Sequence, residues 1–345
     1  MSTTTVAFRI ANSCKSATRS FSSSGYRRPH NINIKTKHQP YKETSDSWDH
    51  IYGVSSVLSA LKARKRQTMD TVYIQETEET KTTQKKDSTL ISQILDLAKT
   101  ANVAVIAVDK GRLNNLTDNK LHQGVVLKAS PRNPIEIGAL SHIVDHGYDA
   151  LPRVNKRGSQ QDREKQQKES LSIKFKTSNL RMPFWIALDQ VQDPQNLGSI
   201  MRTAYFFGVD GVLLCSKNSA PLSPTVSKVS SGAIEMMEIY STPNLVKFLK
   251  ESHANGWEII GAAAGGGETN QPMNLSQFRE ACQKPVVLVL GNEGTGLRTN
   301  VQNECTSFVS IPSAIDSDTA FNGSVDSLNV GVAAGVLLSS AALFK

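Results

Sequence analysis

The chain has 345 residues, 39% of them hydrophobic, and a formal net charge of +8. That length allows two domains with packed cores, and no stretch of eighteen uncharged apolar residues occurs, so no membrane span is expected. The charge is local: eight Lys or Arg and no acidic residue fall within residues 1–42, which leaves 31 basic against 31 acidic residues in the remainder.

The first residues are rich in Ser and Thr, with Arg9, Lys15 and Arg19 interleaved. An acid-free, Arg- and Ser-rich start is the composition of a mitochondrial transit peptide. Arg19-Ser20-Phe21-Ser22 has the look of a matrix-protease cleavage pattern. Residues 1–45 are therefore expected to be a targeting segment and disordered lead, addressed to the mitochondrial matrix, with a chloroplast address as the rival. The four cysteines, Cys14, Cys215, Cys282 and Cys305, form no C-x-x-C pair. That spacing builds neither a disulfide framework nor a zinc site, so no metal is expected and a reducing compartment is.

From Trp48, the stretch WDHIYGVSSVLSALKARKR places Val54, Val57, Leu58 and Leu61 at helical spacing. A strand follows in DTVYIQ, then an exposed loop in ETEETKTTQKKDS. A second helix covers Leu90 to Ala98, and NVAVIAVD is a second strand. With HQGVVLKAS at its end, this makes a small α/β domain over residues 46–131. Residues 132–182 are expected to be a linker, largely disordered. Their part from 152 carries nine basic and three acidic residues and lacks an apolar period. From residue 183 to 345, short buried strands (FWIALD, GVLLC, VVLVLG, TSFVSIP) alternate with helices, which predicts an α/β domain with a mostly parallel sheet. The closing run VGVAAGVLLSSAALF is expected to be a buried helix.

Three turns in the last domain carry polar groups where strands end. In DQVQDPQNLGSIMRTA (189–204), Asn196 is either a helix cap or a ligand-facing amide. Arg202 follows six residues on, about 9 Å by helical rise. In LGNEGTGL (290–297), the glycines permit a close backbone approach to a flat ligand, while Glu293 is either part of that site or a cap for the next helix. There is no G-x-G-x-x-G order and no Walker lysine, which counts against a dinucleotide or ATP site. In SLNVGVA (327–333), Ser327 or Asn329 is placed to cap the final helix. NSAPLSPTVSKVSSGA (218–233) reads as a loop, and GAAAGGGE (261–268) as a flexible turn.

In this order, the segments resemble the SpoU branch of the knotted SPOUT methyltransferases. DQVQDPQNLGSIMRTA matches the first family motif, LGNEGTGL the second, and Ile311-Pro312 followed by SLNVGVA the third. SAPLSPTVSKVSSGA is similar to the segment between the first two. IYG at 51–53 and HQG at 122–124 resemble the ends of the substrate-binding domain found in the family's rRNA guanosine-2'-O-methyltransferases, the mitochondrial large-subunit rRNA enzymes above all. That domain is similar to small ribosomal proteins that bind RNA.

The resemblance implies a deep trefoil knot in the C-terminal domain, S-adenosylmethionine as cofactor, and a homodimer whose active site is shared. It implies cofactor contacts at Gly291, Ile311 and Leu328, and a catalytic group of Asn196, Arg202, Glu293, Ser327 and Asn329. The implied reaction is 2'-O-methylation of a ribose in mitochondrial large-subunit rRNA. A tRNA target is the alternative, as is an inactive RNA-binding assembly factor. Arg202 is a poor base, since free Arg has a pKa above 12; holding phosphate and steadying a developing oxyanion suits it better. The expected RNA contacts are Lys62, Arg64, Lys65 and Arg66 or the linker with its excess of six positive charges, the first being favoured, and either is alternatively a solvated charged face. One departure is the longer run AIDSDTAFNG before Ser324, which is either a lid or a solvent-facing bulge, the bulge being favoured.

Overall fold

A computed structural model describes residues 48–76, 85–145, 147–153, 170–174, 182–263, 271–313 and 327–342. The expected targeting segment and most of the insertion after Pro312 lie outside the described residues. Among the described residues, no helix is long and apolar enough to cross a membrane.

Strand β1 (Asp49–Tyr52) leads into α1 (Val54–Ala63), β2 (Met69–Gln75), α2 (Lys85–Thr100), β3 (Ala104–Val108), α3 (Lys110–Leu116) and β4 (Val125–Ala129). The sheet order is β1-β4-β2-β3, with only β2 and β3 parallel. The helical spacing in α1 does what it predicts: Val54, Val57, Leu58 and Leu61 pack with Ile94 and Ala98 of α2 over Val72 and Leu127. Helix α2 starts at Lys85, inside the stretch expected as loop. Strand β1 and helix α3 are additions to the expected set. The strand has only four residues, and the helix buries only Leu113, so neither shows a period.

Past β4 the chain is not a free linker. Strand β5 (Ile135–Glu136) joins the edge of a second sheet, and β6 (Ala139–Leu140), β7 (Gly147–Leu151) and β8 (Leu171–Lys174) pair antiparallel. Ile137, Leu140, Tyr148 and Ala150 are buried, and Trp185 Nε1 donates to the Tyr148 hydroxyl at 2.7 Å. The expectation of a largely disordered 132–182 is corrected for these strands. Each is too short to show alternation, and the residues that bury them lie far along the chain. Residues 154–169 and 175–181 lie outside the described residues.

The last domain runs β9 (Phe184–Leu188), α4 (Pro194–Phe206), β10 (Gly211–Cys215), α5 (Pro224–Val229), α6 (Ala233–Met236), β11 (Ile239–Thr242), α7 (Leu245–Ala254), β12 (Glu258–Ala262), α8 (Leu275–Ala281), β13 (Val286–Leu290), α9 (Thr299–Gln302), β14 (Ser307–Val309) and α10 (Val330–Ala342). Its sheet has the order β14-β12-β13-β9-β10-β11-β5, with every pair parallel. Alternate residues of β9 serve the two faces. Phe184, Ile186 and Leu188 join one buried cluster, Trp185 and Ala187 the other. A strand buried on both faces reads as continuously apolar, which is why FWIALD was legible. The stretch 218–233, expected as loop, instead holds α5 and the first residue of α6. Ser223 caps α5 and Pro224 opens it, so residues that read as loop formers are helix-start residues here.

Candidate active site

Strand β9 lies between β10 and β13, so the chain order reverses beside it. The crevice outside the carboxyl ends at such a point is where open parallel sheets bind ligands. Two turns meet there: Asp189–Asp193 after β9 and Gly291–Arg298 after β13.

The cap of α4 is Asp193. Its carboxylate accepts from Gln195 N at 2.8 Å, and Pro194 takes the first helical position. Asn196 is therefore not the cap, and its amide is left for longer-range bonds. Its Nδ2 donates to Glu293 Oε1 at 3.1 Å, and its Oδ1 accepts from Asn329 Nδ2 at 2.9 Å. Asn329, one of the two expected caps, has its Oδ1 cap α10 by accepting from Gly331 N at 2.9 Å, while its Nδ2 reaches Asn196. A bonded chain Asn329–Asn196–Glu293 thus joins the three polar turns, although the residues stand 133 and 97 positions apart.

Glu293 is not a helix cap; α9 has none from a side chain. It also accepts from Asp193 N at 3.3 Å, and Asn292 Nδ2 approaches its other oxygen at 3.3 Å. Partial burial pushes its pKa up. The opposing donors, its own backbone N–H, Asn196, Asp193 and Gln192, outweigh that and hold it below the usual carboxylate range. The group is a fixed negative charge at the end of a polarised amide chain.

Gly291 is buried, and a Cβ there would run into the backbone of Gly296. Asn292 and Gly296 exchange backbone hydrogen bonds at 3.0 Å. The loop's own closure therefore accounts for glycine at 291. Gly296 has φ +66, and a Cβ there would enter open space. Leu328 and Ser327 are exposed at the foot of α10, and Ile311 packs half-buried at the edge of the core.

Arg202 stands apart. Its side chain is exposed and makes no hydrogen bond or ion pair among the described residues. From Asn196 it is six residues onward, about one and two-thirds helical turns, so it points about 120° away round the helix. Beside it on α4 are exposed Tyr205 and Phe206, and Val332 of α10 is also exposed.

Sequence reasoning missed Asp189 and Arg298. Asp189 is fully buried at the end of β9 and accepts from Arg298 N at 3.1 Å and Nε at 2.8 Å. This pair ties the glycine turn to β9. Its signal was the first Asp of DQVQD, which the turn reading left without a role.

The four expected RNA contacts divide. Lys62 and Arg64 are exposed. Lys65 pairs with Glu238. Arg66 is buried: its guanidinium donates to Glu235 at 2.9 and 2.8 Å, to Asp49 at 2.7 Å and to Ser130 O at 2.6 Å. Glu235 also accepts from Ser227 at 2.8 Å. Arg66 therefore clasps α6 of the last domain to the small domain and has no free face for RNA.

A family model described as SpoU rRNA Methylase family matches residues 183–339, and one described as RNA 2'-O ribose methyltransferase substrate binding matches residues 50–135. A Schizosaccharomyces pombe protein named rRNA methyltransferase 1, mitochondrial, is 33% identical over 85% of this chain and 89% of its own. A Dictyostelium discoideum protein of the same name is 34% identical over 74% of this chain, which spans 45% of that relative's length. Among solved structures, an AdoMet-bound rRNA methyltransferase from Sinorhizobium meliloti aligns with TM-score 0.57 and 20% identity, covering 85% of this chain and 86% of that one. That likeness is one of fold.

Proposed function

Because the chain belongs to the SpoU rRNA methylase family, we propose that it moves a methyl group from S-adenosylmethionine to a ribose 2'-oxygen, that of a guanosine, in mitochondrial large-subunit rRNA. The observation that carries this reading is the Asn329–Asn196–Glu293 chain, which gathers three separate turns at the switch point of a parallel sheet. The names of the relatives support the mitochondrial rRNA target and the mitochondrial destination, to which residues 1–45 would be the address.

The residues present suit the cofactor. The outer side of the glycine turn is open at Gly296, backbone groups line it, and Leu328 and Ile311 offer apolar surface for a flat ring. Gly291, Ile311 and Leu328 would hold it. When bound, S-adenosylmethionine supplies an electrophilic methyl group. The chain's own residues do the rest. Glu293, kept ionised, orients Asn196 and through it Asn329. Ser327 stands at the same segment and helps position the ribose. Arg202 holds the adjoining phosphate and steadies the charge that develops on the attacking oxygen. Holding both reactants in line accounts for much of the rate.

Arg202 lies off the amide chain in its own subunit, so this reading needs a second copy. Support for a homodimer comes from α10, which is apolar nearly all round yet leaves Val332 53% exposed, and from Phe206 on α4 at 80%. A helix that is apolar on every side belongs inside a core or an interface. The trefoil knot belongs to the same reading. What supports it is that residues 327–329 return to the turns after β9 and β13, across the sheet from β14.

Purified protein, labelled S-adenosylmethionine and an unmodified mitochondrial large-subunit rRNA transcript test the proposal. Transfer to one ribose is expected. Transfer only to tRNA would replace the substrate, and cofactor binding without transfer to either RNA would remove the enzyme reading.

A further inference from the structure

Cations gather at both ends of α1, about 15 Å apart by helical rise. At its C-terminal end, Lys65 and Arg66 are matched by Glu238, Glu235 and Asp49. At its N-terminal end the situation differs. Gly53 begins the helix, and a Cβ on it would strike Lys228 of α5 in the other domain. Lys228 donates to Gln123, and Lys120 donates to the Thr225 hydroxyl at 3.2 Å. Tyr52 also reaches Thr225, at 3.3 Å. Lys110 and Lys228 both face His122, whose pKa is lowered by burial and then by these two charges. Among the described residues, none of Lys110, Lys120 and Lys228 makes an ion pair.

The backbone here is held in an unusual shape. Asp118, Asn119 and Gln123 have φ of 51, 60 and 55, three left-handed residues in one short loop. Strain of this kind persists where the surroundings over-determine it, and it gathers at ligand sites. The loop also leaves Leu121 75% exposed between Lys120 and His122. Lys228 loses part of its hydration to burial, which lowers its pKa. The half-buried Lys228 and the exposed Lys120 each bond across the domain boundary, and with the exposed Lys110 they bring positive charge from two domains without an acidic partner, an arrangement that calls for an anion.

We propose that Lys110, Lys120 and Lys228 form one phosphate-binding site that straddles the two domains and grips the RNA strand flanking the methylated nucleotide. This rests on the RNA reading above and adds a second contact to it. The distance suits the role. Val229, next to Lys228, packs against Gly198, two residues from Asn196, so the site lies roughly one helix diameter, about 10 Å, from the amide chain. The Arg66–Glu235 clasp fixes the two halves in register. The small domain then measures out a set length of strand to the active site.

The test uses full-length protein and the unmodified mitochondrial large-subunit rRNA transcript. Binding is titrated over a range of salt concentrations for the wild type, for Lys110→Gln/Lys120→Gln/Lys228→Gln, and for a control with the same charge loss, Lys99→Gln/Lys247→Gln/Lys284→Gln. Each lost phosphate contact on single-stranded RNA should lower the log–log salt slope by about 0.7. The triple variant should therefore lose about two units of slope and at least about tenfold in affinity, while melting temperature and S-adenosylmethionine binding stay put. The control should keep the wild-type slope. A triple variant with unchanged slope and affinity overturns the site. So does a control that weakens binding equally, since net charge would then explain the effect. A wild type that neither binds nor methylates the transcript overturns the proposed function, and the site with it; a wild type that does both, beside a triple variant that does the same, overturns only the site.

Discussion

Arg202 and Glu293 answer opposite physical problems at the same site. The Arg202 side chain is exposed and unbonded among the described residues, and a structural role gives no reason for that; a role with phosphate does. Arg202→Ala should lower single-turnover methyl transfer by about a hundredfold or more, the scale of removing one oxyanion donor. Cofactor binding should survive, because Arg202 stands apart from the glycine turn. Arg202→Lys should recover little, since a point charge does not reproduce the guanidinium fork. Near-normal transfer by the Ala variant would make it a surface residue after all. Glu293 predicts a pH signature. Its folded pKa lies below the unfolded value of about 4.3, so the stabilisation from its donors is complete above that value and is lost as pH falls through the lowered folded pKa. The melting temperature of the wild type should thus drop more steeply below about pH 4.3 than that of Glu293→Gln. Parallel curves would show that the donors do not hold the charge.

At the scale of elements, the clasp between α6 and the small domain is the most exposed to test. Glu235→Leu leaves Arg66 buried without its main partner, at a cost of about 3–5 kcal/mol. By the size scaling of unfolding, that is a fall in Tm of roughly 6–15 °C. Adding Arg66→Met should recover part of it, because the buried unpaired charge is gone, although Asp49, Ser130 O and Ser227 lose a partner. If the double variant melts no higher than the single one, the clasp is not the source of the loss. The same elements mark how far the sequence could be read. Strands buried on both faces, such as β9 and β13, and helices with a clean apolar stripe, such as α1, were legible because their period is local. Strands β5 to β8 were not, since their burial is decided by Trp185 and Trp257. Helix α5 was hidden for a different reason: its Ser-Pro start is common to loops and helix starts. Within the site, Asn196, Glu293 and Asn329 were found by motif. Arg66 looked like an RNA contact because a buried arginine and a solvated one have the same letter, and only Glu235, 169 residues on, distinguishes them.

For the whole molecule, the shared-site picture predicts a dimer through the face that carries Phe206 and Val332. Sedimentation of the full-length protein should report two subunits. Phe206→Asp with Val332→Asp should yield a folded monomer without methyl transfer. A monomeric wild type that still methylates RNA would leave Arg202 to act within one subunit, against its place on α4. The central claim concerns the reaction itself. Its most direct test is a map of ribose 2'-O-methylation across mitochondrial large-subunit rRNA from cells with and without the protein. One methylated ribose should vanish without it, and return with the wild type but not with Arg202→Ala. An unchanged map would contradict the account.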